Sequence, residues 1–177
     1  MAETTTRRIK FDIDSLYVIL SEQSQPNSWH WGLYLHLDKD GGWIFHIRNS
    51  AHEPWYFEHK RSETIMQSIT VMVALRVAII RPKDMHGALQ SFIGTTQSRI
   101  GMADPNQFGR LTCRTWVMQA LYQLDQCGYI SIMPGYTVQD IEFEATNSAS
   151  ENIQIRNRRR GPLKDEELLR DCNYSQA

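Results

Sequence analysis

The sequence predicts an α+β fold, an antiparallel β-sheet from the first half of the chain packed against helices from the second. Two observations lead there. Residues 15–80 carry aromatic and β-branched runs separated by turn residues, the pattern of strands. After Pro82 the apolar residues recur at helical intervals instead.

In chain order, residues 1–14 are polar and are expected to form a flexible N-terminus. Residues 15–20, SLYVIL, read as a first strand, and SEQSQPNS after them as a loop broken by Pro26 and Asn27. HWGLYLHL and GWIFHIRN, joined by DKDGG, form a hairpin. PWYFEHKR is the next strand, with Pro54 tolerated at its start. SITVMVALRVAII reads as a long buried strand or a strand pair.

Met85, Leu89 and Phe92 then mark a helix with Pro82 near its first turn. LTCRTWVMQALYQLDQCG is the strongest helix, with Thr112 as N-cap, an apolar stripe at Cys113, Val117, Ala120, Leu121 and Leu124, and Gly128 as a stop. Residues 137–157 carry a mixed, helix-leaning signal. The expected organisation is a single domain over residues 15–155, followed by a charged tail at 156–177 that is mobile or forms a short closing helix.

A formal net charge of −1 argues against nucleic-acid binding by bulk electrostatics. The N-terminus lacks the apolar run of a signal peptide, and the longest apolar run, residues 69–80, carries Arg76 and is too short to span a bilayer. A soluble, cytoplasmic protein is therefore expected. Three cysteines without a CxxC pair suggest neither a disulfide framework nor a zinc site, and no cofactor or metal is expected. Nothing in the sequence sets the oligomeric state.

The chemistry concentrates in two places. Strand alternation puts His30, Gly32, Tyr34 and His36 on one face and Trp31, Leu33, Leu35 and Leu37 on the other. The second set is apolar and faces the core; the first faces water or a cleft. Gly32 leaves room for another group to approach. Cys113 falls in the first turn of its helix, where free N–H groups and the macrodipole favour a thiolate, yet it also lies on the apolar stripe. Packing and nucleophilic roles are both open to it. Cys127 sits at the wrong dipole end for activation, and Cys172 lies in the tail. A thiolate needs a neighbouring base, and a histidine on a strand beneath the cysteine helix can supply one.

HWGLYL, a turn and WIFHI, followed much later by LTCRTWVMQAL, resemble the lecithin:retinol acyltransferase-like thiol enzymes, a circularly permuted group of the NlpC-type papain-like superfamily. The resemblance covers about 30 residues of motif and the His-then-Cys order. It implies a permuted papain-like catalytic domain with Cys113 as nucleophile, His30 as general base and His46 as the third, orienting group. Arg114 and Thr115 stand where the family has acidic and histidine residues, and the hydrophobic C-terminal anchor of its membrane-active members is missing. A simple register around DKDGG pairs Leu37 with Trp43 and Tyr34 with His46. That leaves His46 four residues along from His30, roughly 13 Å away at strand rise. Arg48 or Asn49, or a plain dyad, are alternatives to it.

The expected function is acyl transfer or hydrolysis through an acyl-thioester on Cys113, with Trp31, Tyr34 and Trp116 lining the substrate pocket. The partner would be a small-molecule or peptide acyl substrate. A deubiquitinase-like peptidase and an inactive binding module of the same fold are alternatives. A weaker one is a metal site at His30, His36 and His46.

Overall fold

The computed structural model describes residues 8–176. Residues 1–7 of the expected flexible N-terminus lie outside the described residues, as does Ala177.

Four strands follow one another as β1 (Ser15–Glu22), β2 (Trp29–Asp38), β3 (Gly41–Arg48) and β4 (Tyr56–Ser62). A 3₁₀ turn, Thr64–Gln67, leads to β5 (Val71–Ile79), a single strand rather than a pair. Helix α1 (Asp84–Phe92) runs through a π turn (Ile93–Gln97) into the short α2 (Ser98–Ile100). Then come α3 (Cys113–Gln126), α4 (Val138–Arg159), α5 (Asp165–Leu168) and β6 (Leu169–Asp171).

The strands form one sheet in the order β4-β3-β2-β1-β5-β6. All neighbours are antiparallel except β5 and β6, so the sheet is mixed rather than purely antiparallel. β6 is only three residues long, and its parallel place depends on tertiary partners. Arg76 Nε donates to Asp171 Oδ1 at 2.7 Å, and Cys172 N–H donates to the Arg76 carbonyl at 2.9 Å.

One face carries Leu16, Val18, Leu33, Leu35, Phe45 and Phe57 through strand alternation. α3 crosses β2 and β3 on this side, and Trp116 packs on Phe57 with ring centroids 5.5 Å apart. α4 covers β5, pinned by Asn152, which is fully buried and donates its amide to the carbonyls of Met72 (2.6 Å) and Glu167 (2.8 Å).

The other face is covered only in part. Ile9 and Phe11, at the end of the segment expected to be flexible, are buried there. Phe11 packs edge-on against Tyr17 (5.1 Å) and Tyr34 (4.9 Å), and Ile9 N–H donates to the Met66 carbonyl at 2.6 Å. Beyond residue 156 the chain completes α4, buries Leu163, Leu168 and Cys172, and adds β6; it is packed rather than a loose tail.

The β2–β3 register differs from the simple closure. The turn is tight, pairing Asp38 with Gly41, and a bulge at Leu37 adds a further residue of shift, so Leu35 faces Trp43 and Tyr34 faces Ile44. Extending that register by two residues brings His46 opposite Gly32 instead of Tyr34. Among the described residues no helix is long and apolar enough to cross a membrane.

Candidate active site

The two-residue register shift brings His46 to His30. His30 Nε2 and His46 Nδ1 are 2.8 Å apart, with the rings edge-to-face at a centroid distance of 5.0 Å. Gly32 lies between them in sequence and makes the approach possible. A Cβ built there would stand 3.4 Å from the His46 Cβ and 3.3 Å from the Phe45 carbonyl oxygen. Alanine is tight at this position, and a branched side chain displaces His46. Gly32→Val is expected to lose about 1–3 kcal/mol of stability, and Gly32→Ala less, measured by urea denaturation. Equal midpoints for both variants and wild type would contradict that packing.

The chain of polar groups continues to a residue that sequence reasoning missed. His46 pairs across the ladder with Glu58 on β4, and its Nε2 lies 2.8 Å from Glu58 Oε1. Arg48 Nη1 (3.5 Å) and Lys60 Nζ (3.1 Å) approach the same oxygen. The hydrogen bond from His46 and then the Lys60 ammonium hold the Glu58 carboxyl down at about 2, against a burial effect that raises it. Burial lowers His30 to about 4, helped by the neighbouring His46 and Arg48; Glu58 opposes this weakly. Burial also lowers His46, although Glu58 pulls it back up. At neutral pH the site is therefore two neutral imidazoles ending on a carboxylate.

This chain opens on a cleft of about 700 Å³ in the part of the sheet face left uncovered. His30, His46, Arg48, Glu58 and Lys60 line it from the sheet, with Trp55 and Ile65 among the apolar contributors. Ile69, 86% exposed, stands at its rim. Trp31, Tyr34 and Trp116, the expected substrate-binding residues, are instead fully buried core members. Their bulk is used in packing the sheet to the helices and to Phe11. His36 is also apart, its Nδ1 2.9 Å from the Tyr34 hydroxyl and its ring 5.6 Å from Phe11. The three histidines therefore do not converge on one point, which removes the geometric basis for a shared metal site.

Cys113 opens α3 as its first residue, as the capping signal predicts. Thr112 Oγ1 accepts from Thr115 N–H at 3.2 Å, and Thr115 Oγ1 accepts from Thr112 N–H at 2.9 Å. The thiol lies against the start of β2, where pairing with β3 has not begun; that ladder runs from Leu33. Cys113 Sγ donates to the Trp29 carbonyl at 3.8 Å. Burial, with the residue 7% exposed, pushes the thiol above its ordinary value, while backbone N–H groups of Trp31, Arg114 and Cys113 act against this. The cysteine thus touches the two residues flanking His30. Among the described residues no hydrogen bond joins it to the imidazole, and it is not among the cleft-lining residues.

Cys172 is buried, with its thiol 3.3 Å from Glu144 Oε2 and raised to about 11 by burial. Cys127 is exposed just beyond α3. Neither adjoins the histidine chain.

Searches of curated proteins and of solved structures returned no match to this chain. A family model does match over residues 16–131, a span that holds His30, His46, Glu58 and Cys113, and the chain therefore belongs to DUF6540, a family of unknown function.

Proposed function

We propose that the protein is a thiol-dependent acyl-transfer enzyme of the permuted papain-like kind, with Cys113 as nucleophile, His30 as general base and His46 as the group that orients His30. The observation that carries this reading is the continuous Glu58–His46–His30 chain, whose last member stands in sequence between Trp29 and Trp31, the two residues of β2 whose backbone Cys113 touches. A neutral imidazole held on one edge by a second imidazole has the protonation state a general base needs.

In the reaction the Cys113 S–H leaves the Trp29 carbonyl and gives its proton to His30. The sulfur attacks the acyl carbonyl, forming a C–S bond. The developing oxyanion is held by N–H groups at the start of α3. His30 returns the proton to the leaving group as its bond to the acyl carbon breaks. Water or another acceptor then takes the acyl group from sulfur. Because burial disfavours a standing thiolate, deprotonation is coupled to attack. The acyl donor is a small molecule or a peptide.

The test uses p-nitrophenyl acetate and intact-mass detection, with exposed Cys127 replaced by serine to remove background. One acetyl adduct on Cys113 is expected. Cys113→Ser should abolish it, and His30→Ala should slow its formation about 100-fold or more. Absence of the adduct from the parent, or its survival in Cys113→Ser, would overturn the reading.

A second reading has its own support: the thiol is buried, bonded to a backbone carbonyl and outside the cleft wall. These features suit a binding module of the same fold in which the histidine face holds a ligand without covalent chemistry. In that case no acyl adduct forms, and Cys113→Ser leaves ligand binding unchanged.

A further inference from the structure

We infer that Glu58 sets the tautomers of both imidazoles, so that the nitrogen His30 presents as a base is Nδ1. The inference rests on reading His30 as the base, and it names a positioning residue that acts through His46.

The argument is one of donors and acceptors. Glu58 Oε1 is approached by three nitrogens, from His46 (2.8 Å), Lys60 (3.1 Å) and Arg48 (3.5 Å). Two of them belong to permanent donors, and a carboxylate surrounded in this way only accepts. His46 must therefore carry its proton on Nε2. A neutral imidazole has one proton, so His46 Nδ1 is bare and accepts. The atom 2.8 Å from it is His30 Nε2, which must then be the donor. His30 has spent its proton on that bond, and its Nδ1 keeps a free lone pair. No hydrogen bond of His30 Nδ1 is found among the described residues, and the atom is not among the buried unpartnered ones. The direction of every bond in the chain follows from the charge at its far end.

Removing Glu58 removes that direction. His46 Nε2 then loses the acceptor that fixed its proton, and the charged neighbours Arg48 and Lys60 cannot accept a hydrogen bond in its place. His46 becomes free to hold its proton on Nδ1 and donate to His30 Nε2. In that arrangement the His30 proton moves to Nδ1 and blocks the base. Glu58 does not touch His30, so an effect on the His30 ring has to travel through His46.

The experiment is long-range ¹H–¹⁵N correlation of the histidine side chains at neutral pH, assigned with His30→Ala and His46→Ala. In wild type both rings are expected to show protonated-type Nε2 and bare-type Nδ1. In Glu58→Ala the nitrogens of both rings should move toward averaged values, while backbone amide shifts far from β4 stay in place. Glu58→Asp should recover part of the wild-type pattern. A wild-type ring protonated on Nδ1, or a Glu58→Ala spectrum with both rings unchanged, overturns the proposal. The readout needs no turnover. Correct tautomers in a protein that forms no acyl adduct would sink the catalytic reading alone, and an active protein with mixed tautomers would sink this one alone.

Discussion

Gly42→Ala is expected to destabilise the fold by at least about 3 kcal/mol, with the loss read as a lower urea midpoint at constant slope. A Cβ at this position would stand 1.9 Å from the Leu35 carbonyl oxygen and 2.8 Å from the His36 Cα. Both are backbone atoms of β2, so no side-chain rotation relieves the overlap. β3 cannot retreat either, because Gly42 is paired with His36 on one side and Ser62 on the other. The ladder must open or slip, and a one-residue slip turns every β3 side chain to the opposite face. His46 would then leave His30. A loss below about 1 kcal/mol would mean that the hairpin is looser than described.

The second large effect is acid sensitivity well above the carboxylate range. His30 titrates at about 4 in the folded protein against 6.5 for an ordinary histidine. The unfolded chain therefore binds more protons than the folded one between those values, and stability falls as pH drops from about 6.5 toward 4. This group alone accounts for a loss of about 2–3 kcal/mol. His36 and His46, also lowered by burial, act in the same direction. Glu58, held at about 2 against an ordinary 4.5, adds its loss only as pH falls from about 4.5 toward 2. Urea denaturation from pH 8 to 4 should show a steep decline that begins near 6.5, and His30→Gln should make it shallower. A flat profile down to pH 5 would contradict the buried, neutral state of the imidazole pair.

Much of this architecture is legible in the sequence where a local pattern and a tertiary role coincide. The alternation of HWGLYLHL separates the helix-packed face from the face of His30, although Tyr34 and His36 on that second face are buried under Phe11 instead of facing water or the cleft. The Thr112–Cys113 capping signal places the cysteine at the first residue of α3. Other parts depend on partners far along the chain. The tight Asp38–Gly41 turn and the Leu37 bulge leave no mark on composition, and together they make the histidines look two residues further apart than they are. Glu58 stands on a strand whose alternating charges read as a solvated edge, and only its pairing with His46 distinguishes it from Lys60. Ile9, Phe11 and Ile13 give a period-two signal of just three members amid charges, too short to separate from a loose terminus, and Ile13 is itself exposed. β6 has almost no strand propensity of its own and depends on Arg76. The weak helical signal of α4 has a similar cause, since Ser148 and Asn152 occupy buried positions where an apolar stripe would be sought.

The two-sidedness of β2 also bears on how such a protein can change over generations. Trp31, Leu33 and Leu35 hold the helices, while cleft residues such as Ile44, Arg48 and Lys60 stand on the reverse of the sheet. Residues that pack the helices and residues that line the cleft thus alternate along the same strands. Drift at exposed cleft positions such as Arg48 and Lys60 can therefore alter the cleft's charge while the packed layer on the reverse keeps its contacts.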